Sequence, residues 1–540
     1  MSDYRASAAN TVKTANNDIS DANPSILRSA AAISIATFLS RILGMVRDMV
    51  MAAVFPRMVS DAYVVAFRLP NLFRRILGEG SLAVSFIPLY VEALNKDADE
   101  AKAFSNAIYS MLAALTATLS VLGSIYMPWI MVHLVGGEGY MQIPGKYELT
   151  VFLARIMFSY LFLVTTYAFY MGVANAHKIF FLPAMAPAGF NLIMIAMAFF
   201  PQWQMPGDQL AWSVILGGVL QLIMAVWPLR GLGVTPRLTF QWAVKNVSRF
   251  FKVLLPSLLG MSVAQLLGIL NVNFTSRLSQ GSHSFIYFAD RLLEFPQSLL
   301  SVSLGMALLP TLSELWVRGE REKFISTAQR HVRLLMVLSL PAAVGLYVLS
   351  EPIVRVIYGR GEFADNDIII TSQIVAIYSV ILVASGIHRV TVPVFYAVKN
   401  TWLPAANSAF CLVVHFFVAS WATDHYQLQG LVWATAFTGT LNLLVLLASY
   451  KLIFGDLGAK SFIYSVARLI PSLVIMAITA SWVNSWVIKV MAGVVAGILP
   501  SLLALLLAIV AAVLVFFLVN RILRHPEANE VLHMVIKRLK

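Results

Sequence analysis

Arginines set inside apolar stretches are the residues of this chain best placed by type and spacing to do chemistry. Ser40–Asp48 reads SRILGMVRD and Asp61–Gly80 reads DAYVVAFRLPNLFRRILGEG. Both lie in surroundings apolar and long enough for membrane helices. Together they carry Arg41, Arg47, Arg68, Arg74 and Arg75, against Asp48, Asp61 and Glu79. A charge at the centre of a membrane helix costs roughly 2.5–3.5 kcal/mol on insertion scales, so five arginines are not passive filler. The guanidinium group is a planar fork that gives charge-assisted, often bidentate hydrogen bonds to phosphate oxygens. Several in one place suit a diphosphate better than a monovalent anion. The stretch is expected to wall a polar, anion-accepting cavity inside a membrane protein.

The elements that must position these arginines follow from composition. Of 540 residues, 59% are hydrophobic and 12% charged, with a mean hydropathy of +0.78. Soluble domains carry about 25% charged residues, so the expected class is an all-α polytopic membrane protein. The net charge of +13 would suggest nucleic acid in a soluble chain. Here it reflects loop Lys and Arg obeying the positive-inside bias, and no nucleic-acid partner is implied. Cys411 is the only cysteine, which excludes an intramolecular disulfide and Cys-cluster metal binding. Residues 1–28 are polar and expected to be a disordered cytoplasmic extension, with no signal-peptide core.

Apolar runs of about 20 residues predict about fourteen transmembrane helices, the first near 30–55 and the last near 493–521. With the N-terminus in the cytoplasm and sides alternating, 25 Lys and Arg fall on the cytoplasmic side and five on the other. Those five are Arg57, Lys146, Arg277, Arg360 and Lys489. This asymmetry predicts both termini inside. Segment 236–252 alternates basic and apolar residues at helical spacing and predicts an interfacial amphipathic helix. Residues 524–540 are expected to be a cytoplasmic tail.

The chain also repeats itself with an offset of about 221–224 residues. LAWSVILGGVLQL (Leu210–Leu222) aligns with LVWATAFTGTLNL (Leu431–Leu443), and FLPA (Phe181–Ala184) with WLPA (Trp402–Ala405). The repeat implies an N-lobe of spans 1–6 (29–235) and a C-lobe of spans 7–12 (253–455). Six spans each give the copies the same membrane orientation, a parallel repeat of the kind that binds substrate between halves and rocks for alternating access. Spans 13 and 14, within 456–523, have no repeat partner.

The repeat predicts a charged counterpart of span 2 in span 8. Ile286–Pro296 (IYFADRLLEFP) supplies it with Asp290, Arg291 and Glu294. Arg389, in span 10, adds a further positive charge. On a helix Arg41, Gly44 and Asp48 share a face, with Arg47 about 100° away. The charges can also neutralise one another as buried ion pairs: Asp48 with Arg47, Asp290 with Arg291, Glu79 with Arg75. Six arginines against five carboxylates still leave one surplus positive charge, and Arg389 makes two. The histidines show no HExxH or equivalent spacing, and no Walker motif is present. No catalytic residue, metal ligand or cofactor is implied; the chain is expected to be a transporter rather than an enzyme.

SRILGMVRD, DAYVVAFRLPNLFRRILGEGSLAVSFIPLY and YFADRLLEFP closely resemble the MurJ (MviN) family, the lipid II flippases of peptidoglycan synthesis. That family belongs to the superfamily of multidrug and toxin extrusion antiporters and polysaccharide-lipid exporters. The resemblance covers nearly the whole chain. It implies two six-helix lobes around a cationic cavity lined by Arg41, Arg47, Arg74 and Arg291. Ser40, Asp48 and Asp61 match positions of the same motifs. Arg75, Glu79, Asp290, Glu294 and Arg389 complete the candidate substrate-binding set. Spans 13 and 14 would form the groove for the undecaprenyl tail. Some relatives bind sodium with an aspartate in span 7, but Phe251–Arg277 holds no Asp or Glu here.

The implied function is movement of lipid II from the cytoplasmic to the periplasmic leaflet of the bacterial inner membrane. Lipid II, the bilayer and other membrane proteins of peptidoglycan synthesis are the implied partners. A multidrug or cation antiporter of the superfamily, or a flippase for another polyprenyl-diphosphate sugar, is the alternative transport function. Organic cations would favour net carboxylate, and these spans carry net arginine. A membrane enzyme acting on lipid-linked sugars would need an aqueous catalytic loop, and the loops are short.

Overall fold

The computed structural model describes residues 24–76, 82–456, 458–491 and 497–539. Most of the expected N-terminal extension and the candidate Glu79 lie outside the described residues. Among the described residues there are helices and turns but no strand. In chain order they are α1 (Pro24–Val54), α2 (Arg57–Phe73), α3 (Leu82–Lys96), α4 (Ala98–Ile125), α5 (Met127–Val135), α6 (Glu138–Met141), α7 (Lys146–Phe158), α8 (Tyr160–Ala176), α9 (Phe181–Met197) and α10 (Asp208–Gly231). Then follow α11 (Val247–Thr275), α12 (Ser282–Val317), α13 (Arg321–Val348), α14 (Ser350–Tyr358), α15 (Asp365–Ala397), α16 (Trp402–Phe454), α17 (Ala459–Met491), α18 (Leu499–Ile522) and α19 (Pro526–Leu539). A helix satisfies its own backbone, which is what an apolar chain in lipid requires.

Among the described residues, eight helical segments are long and apolar enough to cross a membrane. The expected number of fourteen is not established by this measure. One reason is that α16, at 53 residues, is two helices joined at Gln427, whose φ of 53° and ψ of −136° break the helical backbone. A Cβ at Gly430 would strike the Ala422 carbonyl, so the reversal there requires glycine.

The chain forms two compact units. The first comprises Met1–Val50, Phe67–Tyr126 and Leu153–Leu258; the second comprises Met51–Ala66, Met127–Phe152 and Leu259–Lys540. The units do not follow the sequence halves, because 51–66 and 127–152 belong with the second. In the first unit, Phe86, Phe104, Phe169 and Val173 are fully buried at the meeting of α3, α4 and α8. Phe86 stacks on Phe104 with ring centres 5.7 Å apart. In the second unit, Leu469, Ala480, Ala508 and Phe516 seal α17 against α18.

Two features carry the repeat into local structure. Lys178 and Lys399, 221 residues apart, both adopt φ of 61°, and each precedes a helix that starts at the matched aromatic, Phe181 or Trp402. The aligned pair Gln221 and Asn442 both hydrogen-bond across helices, to the Tyr160 hydroxyl at 3.0 Å and to Asn407 at 2.8 Å.

The expected amphipathic helix over 236–252 is corrected. Residues 234–244 are not helical, and α11 begins only at Val247. The strap is tied to α4 instead: the Arg237 and Thr239 amides donate to Asn106 Oδ1 and Ser110 Oγ, each at 2.7 Å. The Tyr170 hydroxyl donates to the Pro236 carbonyl at 3.0 Å. Pro236 lacks an amide and Asn246 holds φ of 70°, so the chain turns into α11 only after that residue.

Candidate functional site

In the first unit the second arginine of SRILGMVRD is already engaged. Arg47 donates from Nε and Nη2 to Asp48 Oδ1, at 3.1 and 2.8 Å, and from Nη1 to Asn191 Oδ1 at 3.0 Å. Asn191 returns its amide to the Ser40 carbonyl at 3.0 Å. Arg47 and Asp48 are 9% and 2% exposed. The ion-pair alternative for Asp48 and Arg47 therefore describes their geometry, and the pair fastens α1 to α9. A Cβ at Gly44 would lie 3.4 Å from the Asn191 side chain, an ordinary contact, so the approach does not depend on glycine there. Ser40 takes part through its backbone oxygen. Asn191 was missed in the sequence, although a lone asparagine in the apolar run GFNLIM is itself a signal of a buried partner.

Arg41 is exposed on the same helix. Arg74 and Arg75 sit half-buried in a wide helical turn at the end of α2, and Arg74 Nε donates to Asn71 Oδ1 at 3.0 Å. These three guanidinium groups are more accessible than Arg47, whose hydrogen-bonding face is turned into the protein.

In the second unit a polar stripe runs along α12. Tyr287, Asp290, Arg291 and Glu294 follow the i, i+3, i+4, i+7 spacing of one helix face, and Gln297 lies three residues beyond Glu294. Arg291 Nη1 donates to Glu294 at 2.7 Å, and its guanidinium lies 5.0 Å over the Tyr287 ring. Arg389, exposed on α15, reaches Gln297 Oε1 at 3.4 Å, and Gln297 donates to Ser385 Oγ at 3.3 Å. Asp290 is half-buried on the same stripe. The stripe therefore brings Arg291, Glu294, Asp290 and Arg389 together, with Tyr287 and Gln297 as partners the sequence did not suggest.

Asp61 has no exposed surface. Lys146 Nζ donates to its Oδ2 at 2.8 Å, the Gly281 amide to the same oxygen at 2.7 Å, and the Ser284 amide and hydroxyl to Oδ1 at 2.9 and 2.8 Å. The Lys146 ammonium also sits 4.2 Å over the Tyr140 ring, and Tyr140 bonds Thr150 and packs edge-on against His283. Lys146, counted in the sequence as an outer-loop charge, is 1% exposed. Asp61 therefore offers no accessible face to a ligand. It ties 51–66 and 127–152, from the first sequence half, to 281–284 of the second. Nearby, Arg57 pairs with Asp367 at 2.8 Å, and the Glu362 amide bonds the Ala53 carbonyl at 3.0 Å.

Among the described residues no group of three or more His, Cys, Asp or Glu is arranged to hold a metal ion. What the two arrangements can do is bind anions: each unit presents accessible guanidinium groups braced by neighbouring amides, hydroxyls and carboxylates.

A family model described as "Lipid II flippase MurJ" matches residues 50–505. The chain belongs to the lipid II flippase MurJ family. A relative from Bdellovibrio bacteriovorus (strain ATCC 15356 / DSM 50701 / NCIMB 9529 / HD100), named probable lipid II flippase MurJ, is 42% identical over 79% of this chain and 82% of its own length. The lipid II flippase MurJ of Burkholderia cenocepacia (strain ATCC BAA-245 / DSM 16553 / LMG 16656 / NCTC 13227 / J2315 / CF5610) is 33% identical over 72% of this chain and 77% of its own. A solved structure titled "Lipid II flippase MurJ, inward closed conformation" superposes with a TM-score of 0.73 at 24% identity, over 91% of this chain and 99% of that one. An inward-facing multidrug resistance MATE family transporter of the MOP superfamily superposes with a TM-score of 0.62 at 13% identity, over 80% of this chain and 99% of that one. These two likenesses show the fold. Membership of the MurJ family and the membrane-spanning helices make the chain a multi-pass protein of the bacterial inner membrane and a transporter rather than an enzyme.

Proposed function

We propose that this chain moves lipid II from the cytoplasmic to the periplasmic leaflet by alternating access between its two lobes, 29–235 and 253–455. The observation that carries this is family membership over residues 50–505, in a chain whose spans hold more arginine than carboxylate. Arg41, Arg74, Arg75, Arg291 and Arg389 receive the diphosphate and headgroup, while Arg47 and Asp48 hold α1 and α9 in register behind them. Asp290 and Glu294 orient Arg291 and meet hydroxyl or amide donors of the headgroup. The tail lies against α17 and α18, whose outward faces carry exposed Ile, Val, Leu and Trp side chains. Other membrane proteins of peptidoglycan synthesis are the partners that supply and consume the substrate.

Both termini lie in the cytoplasm in this proposal, which puts the Asp61–Lys146–Ser284 knot at the periplasmic side. A cation antiporter is disfavoured because organic cations need surplus carboxylate. The test is depletion in growing cells followed by labelling of lipid II exposed outside the inner membrane. Exposure is expected to fall. Normal exposure, in cells without a second flippase, would overturn the proposal.

A further inference from the structure

The second unit holds a buried histidine that the anion-binding groups do not use. His415, fully buried, stands between the arms of α16 and the end of α11. Its Nε2 lies 2.7 Å from Asn271 Oδ1 and its Nδ1 lies 3.0 Å from Thr438 Oγ1. The surrounding hydrogen bonds limit who donates to two arrangements. Thr435 gives its hydroxyl hydrogen to the Leu431 carbonyl at 2.9 Å, so it accepts from Asn271 Nδ2. That turns Asn271 Oδ1 toward His415, and Nε2 must donate. Thr438 gives its own hydrogen to the Ala434 carbonyl at 2.8 Å, so toward Nδ1 it too is an acceptor. When Thr438 keeps its hydrogen on Ala434, both ring nitrogens face acceptors and the ring is an imidazolium. The neutral ring needs one change only: the Thr438 hydroxyl hydrogen leaves Ala434 and turns to Nδ1.

We propose that His415, with Asn271 and Thr438, is a proton-binding site, and that proton binding there is coupled to transport. An ionisable group within a membrane bundle marks an ion pathway or relay, and histidine is the side chain whose ordinary titration falls near neutral pH. The charge has few competitors. Residues 253–276 and 426–450 contain no Asp, Glu, Lys or Arg. On its own arm the titratable groups are Cys411, one turn away, and Asp424 and His425, beyond two turns. Asp424 pairs with Arg277 of the segment after α11 at 3.9 Å. Tyr426 is exposed at the start of the reversal. On α12, whose Ile286 packs into the neighbouring apolar cluster, His283 lies edge-on to Tyr140 and Tyr287 bonds Arg291. Asn271 and Thr435 are only half-buried, so the site has a polar side through which a proton can arrive. Bound, the proton gives His415 a donor to both α11 and the second arm of α16. Released, it turns the Thr438 hydroxyl to Nδ1, and Thr438 gives up its bond to the Ala434 carbonyl within the second arm. The coupling half of this proposal rests on the flippase proposal; the site itself does not.

The test uses the full chain in liposomes with nitrogen-15-labelled histidine, read by solid-state magnetic resonance. The His415 signal is the one lost in His415→Gln. It is expected to show both ring nitrogens protonated at the acid end of about pH 3–8 and to convert to the neutral ring through one midpoint. Thr438→Val, which removes an acceptor, is expected to lower that midpoint. Asn271→Asp, which places a carboxylate against Nε2, is expected to raise it by about 1–3 pH units. These two variants also identify the signal if His415→Gln does not fold. A neutral ring throughout the range, or a midpoint that neither variant moves, would overturn the site. For coupling, labelled lipid II is followed in the same liposomes under an imposed pH gradient, with potential clamped and sodium replaced by choline. The wild-type rate is expected to change by up to about tenfold for one pH unit and the His415→Gln rate not to change. A wild-type rate indifferent to the gradient, or an unaltered response in His415→Gln, would overturn the coupling. No lipid movement under any gradient would instead contradict the flippase proposal, with the resonance still reporting on the site.

Discussion

Lys146→Met is the perturbation whose cost the structure sets most sharply. The substitution keeps the aliphatic volume and deletes the ammonium 2.8 Å from Asp61 Oδ2. Side-chain exposures of 1% and 0% leave no route for water to replace it. Removing one partner of such a pair strands a buried charge and costs about 3–5 kcal/mol. Three donors from Gly281 and Ser284 remain on Asp61, which puts the expected loss toward the lower end of that range. Asp61→Asn strands the ammonium instead and also turns an amide NH2 toward donors, so its cost is at least as large. The double variant, with neither charge present, is expected to be more stable than the sum of the single losses predicts, by about 2 kcal/mol or more. The assay is denaturant unfolding of the purified protein in detergent for all four members of the cycle. Single losses below about 1 kcal/mol, or strict additivity, would refute the assignment of this knot as a dry, mutually dependent pair.

Three other outcomes follow from the geometry. Arg41→Ala, Arg74→Ala and Arg291→Ala are each expected to fold but to lose about 1.5–3 kcal/mol of substrate binding, one charge-assisted contact, read as failed complementation at equal protein level. Asn191→Leu is expected to destabilise the first unit by about 1–3 kcal/mol, because Arg47 and the Ser40 carbonyl both lose the group that bridges α9 to α1; thermal unfolding checks this. Gly217→Ala is expected to cost about 1–3 kcal/mol, since its Cβ would lie 2.6 Å from the Phe190 ring, and a larger residue at 217 should cost more; the same unfolding measurement reads both.

Helical class, membrane residence and the family were legible because they rest on composition, apolar run length and contiguous motifs. The repeat was legible because identical local demands, such as the left-handed residue before Phe181 and before Trp402, recur at one offset. Partnership between distant charges was not. Lys146 lies 85 residues from Asp61 and Ser284 lies 223, and no periodicity relates such positions. Loop-charge counting therefore placed Lys146 in water, where an unpaired lysine would belong, rather than beneath the carboxylate it neutralises. The strap at 236–246 had helical spacing of apolar and basic residues, but side chains of Asn106 and Ser110 bind its amides and hold it extended. Arg47 and Arg291 look alike in sequence, yet one is locked behind Asp48 and Asn191 while the other stands on an open stripe with Glu294.

The measurement that bears most directly on the central claim is lipid II movement by the purified protein in liposomes. Headgroup-labelled lipid II on the inner leaflet is followed by a membrane-impermeant quencher added outside. Wild-type protein is expected to bring the inner pool to the outer leaflet, and Arg41→Ala, Arg74→Ala and Arg291→Ala to slow this by about tenfold or more. Movement no faster than in protein-free liposomes, or full rate in all three variants, would contradict the account.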